Sequence, residues 1–320
     1  MTLPRILEGR LTLPAIAAPM FIVSVPDLVI AECRAGIVGA FPALNARPKE
    51  QLDEWLAKIT EALAADPHAA PFAVNQIVHK SNDRLEHDVR LCVKYKVPIV
   101  ITSLGLREDL IAEIHAYGGI ILHDIISLVH AHKAVDRGAD GLIAVAAGAG
   151  GHAGALSPFA LIQEIRAWFD GPLALSGAIA TGSAILAAQA MGADLAYIGS
   201  ALIATAEARA AADYKQMIVD SAAADIVYSD SFTGVKGNYL KPSVRRAGLD
   251  PDNLPPGTGM SFASTSGDGN EAKAWRDIWS AGQGIGVVDA VVPVGERIAQ
   301  MKREYDAARA RLSLVAEAAE

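Results

Sequence analysis

The chain is 320 residues long, 52% hydrophobic and 20% charged, with a net charge of -8 and an isoelectric point near 5.5. That composition supports a large buried core and excludes intrinsic disorder. The acidic balance argues against nucleic acid or an anionic membrane as the main partner, because either needs a basic face, but leaves room for a small anionic ligand.

Residues Met1 to Arg10 carry no long apolar segment of the signal-peptide kind, and no stretch reaches the roughly 18 apolar residues of a membrane span. A soluble, cytoplasmic protein with no membrane partner is expected. Strands are expected at Ala15–Pro19, Ile37–Phe41, Phe72–Gln76, Ile99–Ser103, Ile120–His123, Gly141–Val145, Leu173–Ser176 and Leu195–Gly199. Amphipathic helical patterns lie between them, at Lys49–Leu63, Arg84–Tyr95, Glu108–Ala116 and Ser127–Arg137. Cys33 and Cys92 fall in helix-like segments without metal-ligand spacing, so two buried, inert thiols and no metal are expected. His115, His130 and His132 fall on helical stretches as surface residues. Gly138-Ala139-Asp140 and Gly192-Ala193-Asp194 each close a helix and open a strand, with Gly suited to the C-cap.

Strands alternating with helices imply βαβ units, and eight in series close a (β/α)8 barrel. An open doubly wound sheet is the competing topology. The pattern changes after Ala208, giving a barrel core over 1–208 and an extension over 209–320. Asp213–Ala224 reads as helix. Ser229–Asp268, rich in Gly, Pro, Ser and Asn, reads as a long excursion over the barrel top, a candidate lid. Ala272–Trp279 and Val294–Leu312 read as closing helices, with Trp275 and Trp279 packing and Ala316–Glu320 frayed.

Ligands of such barrels bind at the C-terminal ends of the strands. Those ends carry Ala17-Ala18-Pro19-Met20, Asn75-Gln76, His123-Asp124, the Gly-rich segment Gly148–Gly154 with His152, Ser176–Gly182, and Gly199-Ser200. The last two precede helix starts, where backbone N–H groups and the helix dipole favour an anion. Gly177 and Gly199 permit close backbone approach there, and Ser200 adds a hydroxyl. His152 is the one ionisable side chain of its segment and can exchange a proton near neutral pH. His79, Lys80 and Ser81–Arg84 follow the third strand, where a helix N-cap at Ser81 or Asn82 is the preferred reading. Lys236, Tyr239 and Lys241 lie in the excursion. No Gly-x-Ser-x-Gly nucleophile elbow is present.

Taken in order, Ala18-Pro19-Met20, Val74-Asn75, Ala149–Gly154, Ser176–Gly182, Gly192-Ala193-Asp194, Ile198-Gly199-Ser200 and Ala281-Gly282-Gln283-Gly284 make the chain resemble the nitronate monooxygenases, once called 2-nitropropane dioxygenases. The resemblance implies a TIM barrel with FMN across its mouth, with Ser176, Gly177 and Ala178 after the seventh strand and Gly199 and Ser200 after the eighth on the phosphate side. It implies Ala18, Pro19, Met20 and Asn75 beside the ring, Gly150 and Gly151 near it, and His152 facing the substrate. Gln283 and Gly284 would close the site, and Asp124 would stand beside the flavin, where some relatives have lysine. It further implies oxidation of an alkyl nitronate, or the parent nitroalkane, by O2 to a carbonyl compound and nitrite, in a monomer or homodimer. The alternatives are an NAD(P)H-dependent FMN reductase acting on a quinone or enoyl thioester, and a non-flavin phosphate-binding barrel isomerase or lyase. This chain departs from the family at Ala178, for a usual glycine, at Ser200-Ala201-Leu202, for Thr-Arg-Phe, and at Val145, for a glutamine.

Overall fold

A computed structural model of the chain describes residues 3–257 and 276–317. Strands β1 (Ala15–Ala17), β2 (Gly39–Pro42), β3 (Phe72–Ile77), β4 (Ile99–Ser103), β5 (Ile120–Ile125), β6 (Gly141–Val145), β8 (Leu173–Ser176) and β9 (Leu195–Ile198) form one parallel sheet. Its order is β1-β9-β8-β6-β5-β4-β3-β2, and a parallel bridge between Ile16 and Val38 joins the two ends. The sheet is therefore a closed (β/α)8 barrel, not the open doubly wound alternative. Near-continuous apolar runs suit strands covered on both faces.

Alternation along each strand sorts the core. Ile99 and Ile101 on β4, Leu122 on β5 and Ile143 on β6 point inward, with Leu7 of the N-terminal turn buried in the same cluster. Val100, Ile121, Leu142 and Leu175 point outward into the helical layer. That layer includes α1 (Pro26–Arg34), α2 (Gln51–Ala64), α3 (Leu85–Lys94), α4 (Glu108–His115), α5 (Leu128–Asp136), α6 (Pro158–Arg166) and α7 (Gly182–Met191). Cys33 and Cys92 are buried thiols on α1 and α3. Among the described residues no helix is long and apolar enough to cross a membrane.

The two Gly-Ala-Asp repeats have the same use. Gly138 and Gly192 adopt φ of +95° and +113°, left-handed values that favour glycine. Asp140 then accepts Ile121 N–H at 2.7 Å on the neighbouring strand, and Asp194 accepts Leu173 N–H at 2.9 Å. Each carboxylate also meets a basic side chain, the His115 ring for Asp140 and the Arg166 guanidinium for Asp194. These pairs tie the N-terminal ends of the strands together.

The expected excursion is more ordered than its composition suggests. After α8 (Ser200–Ile203) and α9 (Ala212–Val219), β10 (Ile226–Ser229) and β11 (Gly237–Leu240) pair antiparallel, and α10 (Lys241–Arg246) follows. β11 also pairs with the two-residue β7 (Gly151–His152). Residues 258–268 lie outside the described residues. So do 272–275 of the expected helix 272–279, including Trp275; its described end, 276–279, is turn and bridge instead of helix. Trp279 is buried and stacks on Tyr214, as a packing residue should. The last helix, α11 (Val294–Glu317), runs past the expected end at Leu312 and packs on α7. A Cβ on Gly182 would lie 1.8 Å from Met301 O, so only glycine lets these helices approach. The N-cap expected at Ser81 or Asn82 is not formed. α3 starts at Leu85 after Arg84, and Asn82 instead donates to Ile77 O.

Candidate active site

Continuing the inward rows upward gives Asn75, Ser103, Asp124, Val145, Ser176 and Tyr197, and these form the floor of a cavity of about 940 Å³ at the barrel mouth. Its walls include Ala18, Pro19, Met20, Gly150, Gly151, His152, Gly177, Ala178, Gly199, Ser200 and Gly284. Of the sequence-predicted site residues, only Gln283 does not line it. Its N–H donates to Gly148 O at 2.9 Å, so Gln283 braces the Gly-rich segment from behind.

His152 sits on a paired strand, not in a free loop. Gly237 and Asn238 of β11 pair with His152 and Gly151, and Asn238 Nδ2 donates to Ala149 O at 2.7 Å. The imidazole Nε2 is 2.9 Å from Thr233 Oγ1, and Thr233 in turn donates to Val235 O. Burial lowers the His152 pKa to about 4, leaving a neutral imidazole at neutral pH. Thr233 was invisible to sequence reasoning because it lies 81 residues away on the excursion.

Asp124 forms no ion pair with any described residue. Ser103 Oγ donates to Asp124 Oδ2 at 2.5 Å, and Asn75 Nδ2 donates to Ser103 Oγ at 2.7 Å. Burial raises the Asp124 pKa to about 6, against a smaller lowering by the Ser103 bond. His123, the next residue down the strand, points outward and bonds Thr102 Oγ1 at 2.8 Å through Nδ1.

Expected phosphate donors are partly engaged. In α7, Glu304 accepts Gly182 N–H at 2.8 Å and Thr181 Oγ1 accepts Ala184 N–H, so the first turn of that helix is already capped. Ala178 N–H is 3.2 Å from Gly148 O, and Ser200 Oγ accepts Gly282 N–H at 2.8 Å, with its own hydrogen still able to donate. Ala178 has φ of +53°, which explains why glycine is usual there in related proteins. The other glycines serve packing as well as access: a Cβ on Gly150 would lie 2.8 Å from Gly282 N, and one on Gly177 2.8 Å from Ala147 O.

Two further residues shape the mouth without a strong sequence signal. Asn45, 3% exposed, donates to Met20 O and Ser24 O and accepts Ile22 N–H, which fixes the loop carrying Met20. Arg84 lines the cavity while bonding Asp88, Ala43 O and Ala46 O. Lys236 also lines it, whereas Tyr239 is buried and Lys241 pairs with Asp252. Among the described residues no cluster of His, Cys, Asp and Glu could hold a metal.

The nitronate monooxygenase family model matches residues 7–304. A nitronate monooxygenase of Paraburkholderia phytofirmans is 27% identical over 341 residues, covering 91% of this chain and 92% of the relative. A 5-hydroxy-7a-methyl-1-oxo-octahydro-1H-indene-4-carboxyl-CoA dehydrogenase of Rhodococcus jostii is 27% identical over 194 residues, 61% of this chain and 53% of its own. Among solved structures, nitroalkane oxidase from Streptomyces ansochromogenes superposes with a TM-score of 0.78 at 23% identity, covering 96% of this chain and 99% of that one. FabK from Thermotoga maritima does so at 0.77 and 23%, covering 98% and 99%. At that identity the two structures attest the barrel alone.

Proposed function

This chain belongs to the nitronate monooxygenase family, and on that premise we propose that it binds FMN and oxidises alkyl nitronates, with the parent nitroalkanes as slower substrates, to carbonyl compounds and nitrite. The observation that carries this reading is His152, a neutral imidazole fixed on a paired strand in the wall of a cavity whose other walls are the glycine turns after β8 and β9.

The residues present fit the cofactor. A cavity of about 940 Å³ stands near the top of the roughly 300–1,000 Å³ span of small-molecule and cofactor sites, enough for a flavin with a small substrate. With the first turn of α7 capped by Glu304 and Thr181, the phosphate falls to the turn at Gly177 and Ala178 and to Gly199 and Ser200. Ala18, Pro19, Met20 and Asn75 would hold the ring, with Gly150, Gly151 and Gly284 around it and Asp124 below. Bound FMN supplies an electron acceptor and a place for O2 to react.

The protein's own part is positioning, proton transfer and electrostatics. A neutral His152 has a lone pair to take the α-proton of a nitroalkane, and a nitronate arrives with that proton already gone. Asp124, largely protonated below about pH 6, then brings no full negative charge under an electron-accepting ring. O2 is the co-substrate of the proposed reaction. The test is product analysis: the purified enzyme in air should convert ethyl nitronate to acetaldehyde and nitrite. Neither product above a heat-killed control would remove the reading.

The Asp124 environment gives a further expected outcome. Its pKa is raised on folding, so ionising it above about pH 6 costs stability that the unfolded chain does not lose. Asp124→Asn, neutral at every pH, should therefore melt higher than wild type at pH 8 and by a smaller margin at pH 5, because the wild type's penalty builds up from about pH 3.8 to about pH 6. Melting curves of the flavin-loaded protein at the two pH values check this, and a difference independent of pH would contradict it.

A further inference from the structure

The cavity has a side arm that the proposed reaction does not use. It lies between β5, α5 and the loop after β4, where Leu104 and Leu106 line it. Outward-facing His123 reaches it from the strand. His130, Lys133 and Arg137 reach it from one face of α5, at helical spacings of three and four residues. His123 is 9% exposed, and with Nδ1 on Thr102 its Nε2 has no hydrogen-bond partner among the described residues. His130, Lys133 and Arg137 form no ion pair with any described residue. Arg137 gives one N–H to Leu106 O at 3.2 Å, which holds it over the arm. Four nitrogen-bearing side chains thus converge on one pocket in a chain whose net charge is -8.

We propose that this arm is a binding subsite for a phosphate group carried by the substrate or a co-substrate, with His123 Nε2, His130, Lys133 and Arg137 as its donors. The charges fit. Lys133 and Arg137 offset a dianion, each imidazole can turn an N–H toward it, and no described carboxylate is ion-paired to any of the four. The apolar Leu104 and Leu106 flank the path from the arm to the cavity floor, which suits a ligand with an anionic tail and an uncharged middle. The assignment rests on the reading of this cavity as the active site.

Calorimetric titration of the flavin-loaded enzyme with desulfo-coenzyme A, NADP+ and inorganic phosphate tests it. At least one nucleotide should bind, and inorganic phosphate should compete with it. Lys133→Ala and Arg137→Ala should each weaken binding about 10-fold, and together about 100-fold, the worth of charge-assisted hydrogen bonds. Lys133→Arg should restore most of the loss. Lys302→Ala, which removes a like charge on α11, should change nothing. Binding of desulfo-coenzyme A alone identifies a thioester ligand, and binding of NADP+ alone a dinucleotide. No nucleotide binding at millimolar concentration, binding indifferent to phosphate, or binding indifferent to both arm variants overturns the proposal. The titration reads no nitrite, so its failure is separable from failure of the nitronate reaction.

Discussion

His152→Asn is expected to lower turnover of a neutral nitroalkane by about 10²–10⁴-fold, the usual share of a general base, while oxidation of the pre-formed nitronate falls much less. The imidazole is neutral because burial holds its pKa near 4. The base should therefore be lost only as pH drops through about 4, and any change in wild-type activity near pH 6 should vanish in Asp124→Asn and persist in His152→Asn. Asn is similar in size and can still meet Thr233, so β7 and its pairing to β11 should survive. Flavin content should be unchanged, because the proposed phosphate turns lie on other strands. Steady-state rates on nitroethane and ethyl nitronate across pH decide the matter. Equal losses on both substrates would make His152 a binding residue, and no loss on either would move the chemistry elsewhere.

Asp194→Ala is expected to cost about 3 kcal/mol or more of folding stability, as breaking one side of a buried pair does. Asp194 is 2% exposed, accepts Leu173 N–H and meets Arg166, which also donates to Gly192, Phe169 and Gly171 carbonyls. Removing the carboxylate orphans the Leu173 N–H and strips the Arg166 charge of its counter-ion. Denaturant unfolding of the two proteins measures it, and a loss under about 1 kcal/mol would show that the strand ends are held by the sheet alone.

The barrel was legible in sequence because its strands are uninterrupted apolar runs with glycine or Gly-Ala-Asp punctuation. Ile99–Ser103, Gly141–Val145 and Leu173–Ser176 appear with the expected bounds. So was the set of strand ends that lines the cavity, since barrel geometry sends every such end to one face. What stayed hidden depends on contacts distant in sequence. β7 is two residues long and owes its existence to β11, so no periodicity announces it. Glu304 caps a helix 122 residues earlier, which moves the proposed anion site off the α7 first turn. The partner of Asp124 is Ser103 because both face inward on adjacent strands, whereas its sequence neighbour His123 faces the other way. The Gly/Pro-rich excursion read as loop because its strands are four residues each and its order comes from pairing, not propensity.

The proposed function requires that this cavity hold a flavin that takes electrons from a nitronate. The most direct measurement is the visible absorbance of the purified enzyme under anaerobic conditions, with ethyl nitronate added to one cuvette and NADH to another. A flavin spectrum, FMN in the heat-released supernatant, and bleaching by the nitronate are expected. A protein that stays colourless after incubation with FMN, or a flavin bleached by NADH and left untouched by the nitronate, would contradict it.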